Sequence, residues 1–390
     1  MDLELTPEER RFREEVRSWL TENVPREPRP QNEADARVFD LAWQRAQWDG
    51  GWAGVSWPKE FGGRGLSLVQ QMIWYEEYAR ADAPYVGSCF VGINHAGPTL
   101  IACASEAQKS FHLPRILKGE DVWCQGFSEP GAGSDLASLQ CKADLDGDHF
   151  VVNGQKIWTS FADVADYQEL LIRTSSEGRK QAGITWVIGD MSLPGIEIRP
   201  ISTMNGGAEF CEVFYKDVRI PIANVVGEID NGWSVAMSTL GFERGTAFMG
   251  RQVAIARSLE KLMEEAKRQP SPSGHGTAFE NDEIAQRLGK LRVEVTAMRA
   301  MTLTSVSRAR RSPVPGPEGS MLKIFLADLE QRLRRLAMEI LGPEGLVMGE
   351  TAEDWPNLYL RSYASTIGGG TSEIQRNIVG ERVLGLPRDR

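Results

Sequence analysis

The chain has 390 residues, with 54 acidic against 44 basic side chains and a net charge of −10. That balance argues against non-specific nucleic-acid binding, which rests on positive charge. Its 41% hydrophobic and 25% charged content is that of an ordinary globular chain, long enough for two or three domains.

Five cysteines, none in a C-x-x-C pair and odd in number, read as buried, reduced thiols of a cytosolic protein. No apolar run is long enough to cross a membrane. The opening stretch MDLELTPEERRF is acidic and helical, unlike a signal peptide.

In chain order, Phe12, Val16 and Trp19 recur at helical spacing and predict an amphipathic helix from Pro7 to about Leu20. Proline suits such a first turn. WPKEFGGRGLS reads as a glycine-rich loop leading into the helical VQQMIWYEEYAR. After about Asp121 the pattern changes. HFVVNGQKIW reads as two short strands joined by a hairpin turn at Asn153-Gly154. YQELLIRT, GITWVIGD, GIEIRP and CEVFYKDVRI follow as strands, ending near Val226.

The last third is helical again. Ile284, Leu288, Leu291, Val295 and Met298 step by four and three, as do Leu322, Phe325, Leu329, Leu333, Leu336 and Ile340. This rhythm predicts long helices packed in a bundle. RQPSPSGHG and SPVPGPEGS are the breaks. The domains expected are an N-terminal helical domain over 1–121, a central β domain over 122–227 and a C-terminal helical bundle over 228–390.

Several chemistries are missing from the sequence. The four histidines, His95, His112, His149 and His275, show no zinc spacing, and no metal site is expected. There is no P-loop, no G-x-G-x-x-G after a strand and no G-x-S-x-G elbow.

Three stretches stand out. STIGGGTSEIQRN puts Gly368, Gly369 and Gly370 before a helix start, with Ser372 and Gln375 at capping-box spacing. It suits either a helix-to-helix turn or a ligand held against bare backbone. GFSEPGAGSDLASL alternates small residues and hydroxyls; it is either a capped turn or a surface for a flat polar ring. STLGFERGTAFMGRQ sets Glu243 among apolar neighbours, where desolvation raises a carboxylate's pKa and suits a proton acceptor. A surface pair with Arg244 is the weaker alternative, since adjacent helical residues do not face each other.

GFSEPGAGSD closely resembles the T/S-E-P-x-A-G-S-D signature of the acyl-CoA dehydrogenase family. QKIWTSFADVADY resembles that family's lysine–x–tryptophan segment, and GGGTSEIQRN its C-terminal loop-helix signature. The likeness spans essentially the whole chain. It implies an N-terminal helical domain, a β-barrel-like middle domain and a C-terminal four-helix bundle, and it implies FAD, an acyl-CoA substrate and a tetramer.

By position, the resemblance puts Phe127 and Ser128 against the flavin ring, Trp158 packing on it and Ser160 near its N5. Thr371 and Glu373 fall on the adenosine diphosphate part, as do Glu339 and Gly342 of EILGPEG on the subunit-crossing part. Ser134, Arg244 and Gly370 fall on the substrate side.

Many members carry the catalytic glutamate on the loop, where this chain has Gly369. Others carry it on a bundle helix, and that position is Glu243. The resemblance therefore implies Glu243 as base and the Gly369 backbone N–H as donor to the thioester oxygen. It also departs from the family pattern: the R-x-x-F-G motif is missing, with Arg268 the candidate substitute, and Glu339 and Pro343 replace a glutamine and a glycine.

The function expected is FAD-dependent dehydrogenation of an acyl-CoA to its trans-2-enoyl-CoA, on a branched or bulky acyl group. Electrons pass to an electron-transferring flavoprotein, in a cytoplasmic homotetramer or a heterotetramer with a sister subunit. The alternatives are an oxidase or monooxygenase on the same fold, or a partner subunit of a heterotetramer.

Overall fold

In the computed structural model, the described part of the chain comprises residues 5–243, 247–309, 318–349 and 354–387. Helices α1 (Pro7–Asn23), α2 (Glu33–Asp49), α3 (Leu68–Arg80), α4 (Gly97–Cys103) and α5 (Glu106–Leu117) come first. Strands β1 (Trp123–Gly126), β2 (Lys142–Asp146), β3 (His149–Ser160), β4 (Tyr167–Arg173), β5 (Ile184–Asp190), β6 (Ile196–Ile201) and β7 (Phe210–Pro221) follow. Helices α6 (Gly232–Glu243), α7 (Ala247–Arg268), α8 (Asp282–Ala309), α9 (Glu318–Leu341), α10 (Trp355–Ser362) and α11 (Ser372–Ile378) close the chain. The expected order, helical then β then helical, is what the chain adopts.

By contact the chain forms two compact units. One joins residues 25–66 with 84–243; the other joins 1–24, 67–83 and 244–390. The first unit holds a seven-stranded sheet in the order β1-β4-β2-β3-β7-β6, with β5 paired to β4. The sheet curls into half a barrel. One core packs Trp57, Trp123 and Trp186 with Leu100 and Leu117; another packs Phe150, Val152, Leu170, Val213 and Val218 on the sheet.

The Asn153-Gly154 hairpin is corrected by the structure. β3 runs unbroken from His149 to Ser160, and the chain reverses instead at Gly147, between β2 and β3. Asn153-Gly154 forms a bulge in the pairing of β3 with β7. Its cause is a close approach: a Cβ at Gly154 would stand 2.7 Å from the Cα of Cys141. Bulges bend a strand and increase its twist, which is how a strand this long follows the curl.

In the second unit the apolar steps of α8 and α9 meet α7. Leu259, Leu262, Leu288, Leu291, Leu326, Leu329, Leu333 and Leu336 are buried together. Helix α1 buries Phe12, Val16 and Leu20. Glu76 and Glu77, both buried on α3, accept from Arg13 at 2.6 Å, Arg17 at 2.9 Å and Arg299 at 2.9 Å. Buried carboxylates need such pairing, and here it ties α1, α3 and α8 together.

Candidate active site

β1 delivers the chain to Phe127, which is buried, and Ser128, which is half-buried. The turn that follows is fixed by one ammonium. Lys156 on β3 is fully buried and donates to the Phe127 carbonyl at 3.1 Å and to the Glu129 carboxylate at 2.8 Å. The Glu129 carboxylate also accepts from the backbone N–H groups of Gln140 at 2.6 Å and Cys141 at 2.8 Å. A buried charge is tolerable only when so satisfied. The Ile157 N–H donates to the Ser128 carbonyl at 2.9 Å, which fastens the SEP turn to β3 beside Trp158.

The strand changes register between Lys156 and Thr159. Trp158 takes a φ of 60° in doing so. A bulky residue with positive φ is an outlier that points to function. Its indole is 56% exposed and meets Phe210 edge-on at 6.0 Å. Thr159 is buried, its hydroxyl unpaired among the described residues, and Ser160 is half-buried. Among the described residues, the hydroxyls of Ser128 and Ser160 make no hydrogen bond.

An exposed aromatic face with free hydroxyls on adjoining segments is a donor set suited to a flat, polar-edged ring system. It fits a flavin. Ser134 lies exposed in the same turn, next to Asp135, whose carboxylate is held by Lys180 at 2.6 Å.

In the other unit, Gly369 and Gly370 have φ of 67° and 87°. The Gly369 carbonyl accepts from the Gln375 side-chain amide at 2.8 Å, and the Gly370 carbonyl from the Lys323 ammonium at 2.7 Å. Among the described residues, the N–H of Gly369 donates to nothing.

The expected capping box at Ser372 does not form. Thr371 is the N-cap, accepting from the Ile374 N–H at 3.3 Å, because Gln375 is turned back to the glycine carbonyls. Glu373 is exposed and pairs with Arg376 at 3.4 Å. Glu339 near the end of α9 is held by Arg287 at 3.0 Å, and Gly342 follows that helix with a φ of 54°.

Glu243 is the last residue of α6. Its side chain, and Arg244 as a whole, lie outside the described residues. Arg268 is exposed and pairs with Glu265 at 2.7 Å.

The five cysteines are free. Burial pushes the Cys89 thiol up to about 12 and those of Cys141 and Cys211 up to about 11. These are poor nucleophiles at neutral pH.

Lys323 escaped the sequence reading; Lys156 entered it only within the lysine–x–tryptophan segment, and Gln375 only as a capping residue. A lysine inside an apolar helical stripe, beside Leu322 and Phe325, was the available signal for Lys323.

Family models match the chain along most of its length. The Acyl-CoA dehydrogenase N-terminal domain matches residues 6–120, the middle domain 124–218 and the C-terminal domain 230–384. The chain belongs to the acyl-CoA dehydrogenase family.

Among curated relatives of this family, it is 42% identical over 387 residues to Acyl-CoA dehydrogenase IpdE1 of Mycobacterium tuberculosis, covering 97% of this chain and 98% of the relative. Among solved structures it resembles the Tcur3481-Tcur3483 steroid ACAD, at 31% identity and a TM-score of 0.86, over 100% of both chains. It also resembles the ChsE4-ChsE5 complex from Mycobacterium tuberculosis, at 32% identity and a TM-score of 0.85, over 100% of both chains. Membership makes the chain an oxidoreductase acting on acyl-CoA. No helix among the described residues is long and apolar enough to cross a membrane.

Proposed function

We propose that the chain binds FAD and converts a bulky acyl-CoA, of the steroid-derived kind, to its trans-2-enoyl-CoA. One observation carries the flavin part: the Ile157–Ser128 backbone bond fastens Ser128, whose hydroxyl makes no hydrogen bond among the described residues, to the strand that carries the exposed Trp158 and half-buried Ser160. Phe127, Ser128, Trp158 and Ser160 would hold the ring, and Thr371, Glu373, Glu339 and Gly342 the adenosine diphosphate part. FAD, when bound, supplies the acceptor for the β-hydride.

The chain's own residues do the rest. Glu243, as a carboxylate, takes the proton from the α-carbon. The Gly369 N–H, unpaired among the described residues, holds the thioester oxygen as negative charge develops on it. Ser134, Arg244 and Gly370 contact the substrate.

The bulky acyl group is supported by the glycine at the loop position, which leaves room there, and by the likeness to a structure described as a steroid ACAD. The three domains are drawn at 1–121, 122–227 and 228–390. An electron-transferring flavoprotein takes the electrons, in the cytoplasm.

A second reading concerns assembly. The chain is one subunit of a heterotetramer, which is supported by its likeness to structures described as the two-protein pairs Tcur3481-Tcur3483 and ChsE4-ChsE5. A homotetramer is the other form.

The test is a spectrum of the purified protein, alone and co-expressed with a genomic neighbour. It is followed by anaerobic bleaching with octanoyl-CoA, isobutyryl-CoA and the steroid thioester choloyl-CoA. Bleaching fastest with choloyl-CoA is expected. A colourless protein under both conditions overturns the flavin reading, and preference for octanoyl-CoA overturns the bulky substrate. Rapid oxygen consumption on reoxidation would make the chain an oxidase.

A further inference from the structure

Lys323 lies on α9 among core leucines and is 3% exposed, yet its ammonium reaches out of the stripe to the Gly370 carbonyl at 2.7 Å. Gln375, wholly buried, reaches the Gly369 carbonyl at 2.8 Å and lies 3.5 Å from the Gly370 carbonyl. Two consecutive glycine carbonyls are thus each held by a buried donor. We propose that Lys323 is a positioning residue for the reaction: with Gln375 it clamps these carbonyls so that the loop's amides stand free to receive the thioester oxygen. The inference rests on the reading above, in which the Gly369 N–H is that donor; the clamp acts on it by fixing the two peptides that follow it.

The geometry follows from the peptide unit. A trans peptide is planar, with its C=O and N–H pointing opposite ways, and the described chain has no cis bond. Holding the Gly369 carbonyl therefore aims the Gly370 N–H away from Gln375. Holding the Gly370 carbonyl aims the Thr371 N–H away from Lys323. Among the described residues, the amides of Gly369, Gly370 and Thr371 donate to no backbone or side-chain acceptor. Successive free amides around positive-φ residues form a concave receptor for negative charge.

The clamp also answers a cost of the sequence. Three successive glycines have the largest backbone freedom of any tripeptide. An oxyanion donor contributes only when it is already in place as charge develops. Glycine admits the conformation, and a Cβ at Gly370 would meet the Gln375 amide at 2.7 Å. The buried lysine then removes the freedom that glycine brings. A hydrogen bond from an ammonium to a carbonyl also polarises the same peptide's N–H, here that of Thr371, and makes it a better donor beside the Gly369 amide.

The test compares the parent holoenzyme with Lys323→Met, which keeps length and removes charge and donor. Hydrogen exchange over residues 366–376 is read in the absence of substrate. The carbonyl stretch of bound choloyl-CoA, carrying ¹³C at the thioester carbon, is read by infrared difference spectroscopy. Flavin reduction and substrate Kd are read separately.

Lys323→Met should speed exchange of the loop amides about tenfold or more and return the carbonyl stretch toward its solution value. It should slow flavin reduction by roughly 10- to 100-fold, with Kd within about threefold, as expected for loss of transition-state stabilisation alone. Lys323→Arg should recover part of the exchange protection. If Lys323→Met does not fold, Gln375→Leu opens the other half of the clamp and is read in the same way. Parent-like exchange and a full carbonyl shift in the variant overturn the clamp. A parent enzyme that shows no carbonyl shift on binding instead sinks the donor reading on which it rests.

Discussion

The ammonium of Lys156 lies 2.8 Å from the carboxylate of Glu129, with the lysine fully buried. This pair holds the turn that carries Phe127 and Ser128 against the strand that carries Trp158. It couples the stability of the β domain to the shape of the proposed flavin surface.

Lys156→Met leaves Glu129, with only 9% side-chain exposure, without its ion-pair partner. Breaking one partner of such a pair costs about 3–5 kcal/mol. Urea denaturation of the apoprotein should show a loss of that order, and the variant should purify with less FAD than its parent. Glu129→Gln, which keeps an acceptor, should also destabilise. An undiminished denaturation midpoint in Lys156→Met would remove the pair from any structural role.

Trp158→Ala separates binding from folding. The indole is 56% exposed, so apoprotein stability should change by no more than about 0.5 kcal/mol. An aromatic contact contributes about 0.5–1.5 kcal/mol beyond area burial, so FAD should bind more weakly by at least roughly two- to twelvefold. Fluorescence titration of the apoprotein with FAD measures this. Unchanged affinity would place the ring elsewhere.

Glu243→Gln should keep the flavin and the substrate-induced change in its spectrum, while flavin reduction falls by about 10²–10⁴-fold. Stopped-flow reduction with choloyl-CoA is the measurement. Reduction at the parent rate means that the base lies elsewhere.

His112 carries a pH dependence. Its ring sits edge-on to Phe111 at 4.8 Å, Trp123 at 5.1 Å and Tyr167 at 4.9 Å. Burial among them lowers its pKa to about 4. An unfolded histidine titrates near 6.5, so the folded state keeps His112 neutral while the unfolded state gains a proton. Its contribution to stability is fully present above about 6.5. It falls with pH toward about 4, at no more than about 1.4 kcal/mol per unit. Urea midpoints of the parent at pH 7 and pH 5 should differ more than those of His112→Phe. Equal differences would show that the imidazole does not titrate between the two states.

Sequence alone determined the helical–β–helical order, the helical stripes and the strands from Tyr167 onward, because burial periodicity is local and each element repeats it. It also picked out, by their resemblance to family signatures, the three stretches on which the proposed site rests, because hydroxyls, glycines and a tryptophan in fixed order need no long-range information. It misread Asn153-Gly154 as a turn. Only the approach of Cys141, just before β2, decides that glycine's use, and that contact is invisible in the local pattern.

The hydrogen-bond partners of Lys156, Lys323 and Gln375 were decided by tertiary structure. Lys156 reaches across 27 residues to Glu129, and Lys323 across 47 to Gly370. A buried charge has no periodicity of its own. Its meaning depends on which carbonyl or carboxylate the fold brings within hydrogen-bond distance, and strand register and helix packing fix that only once the core has formed.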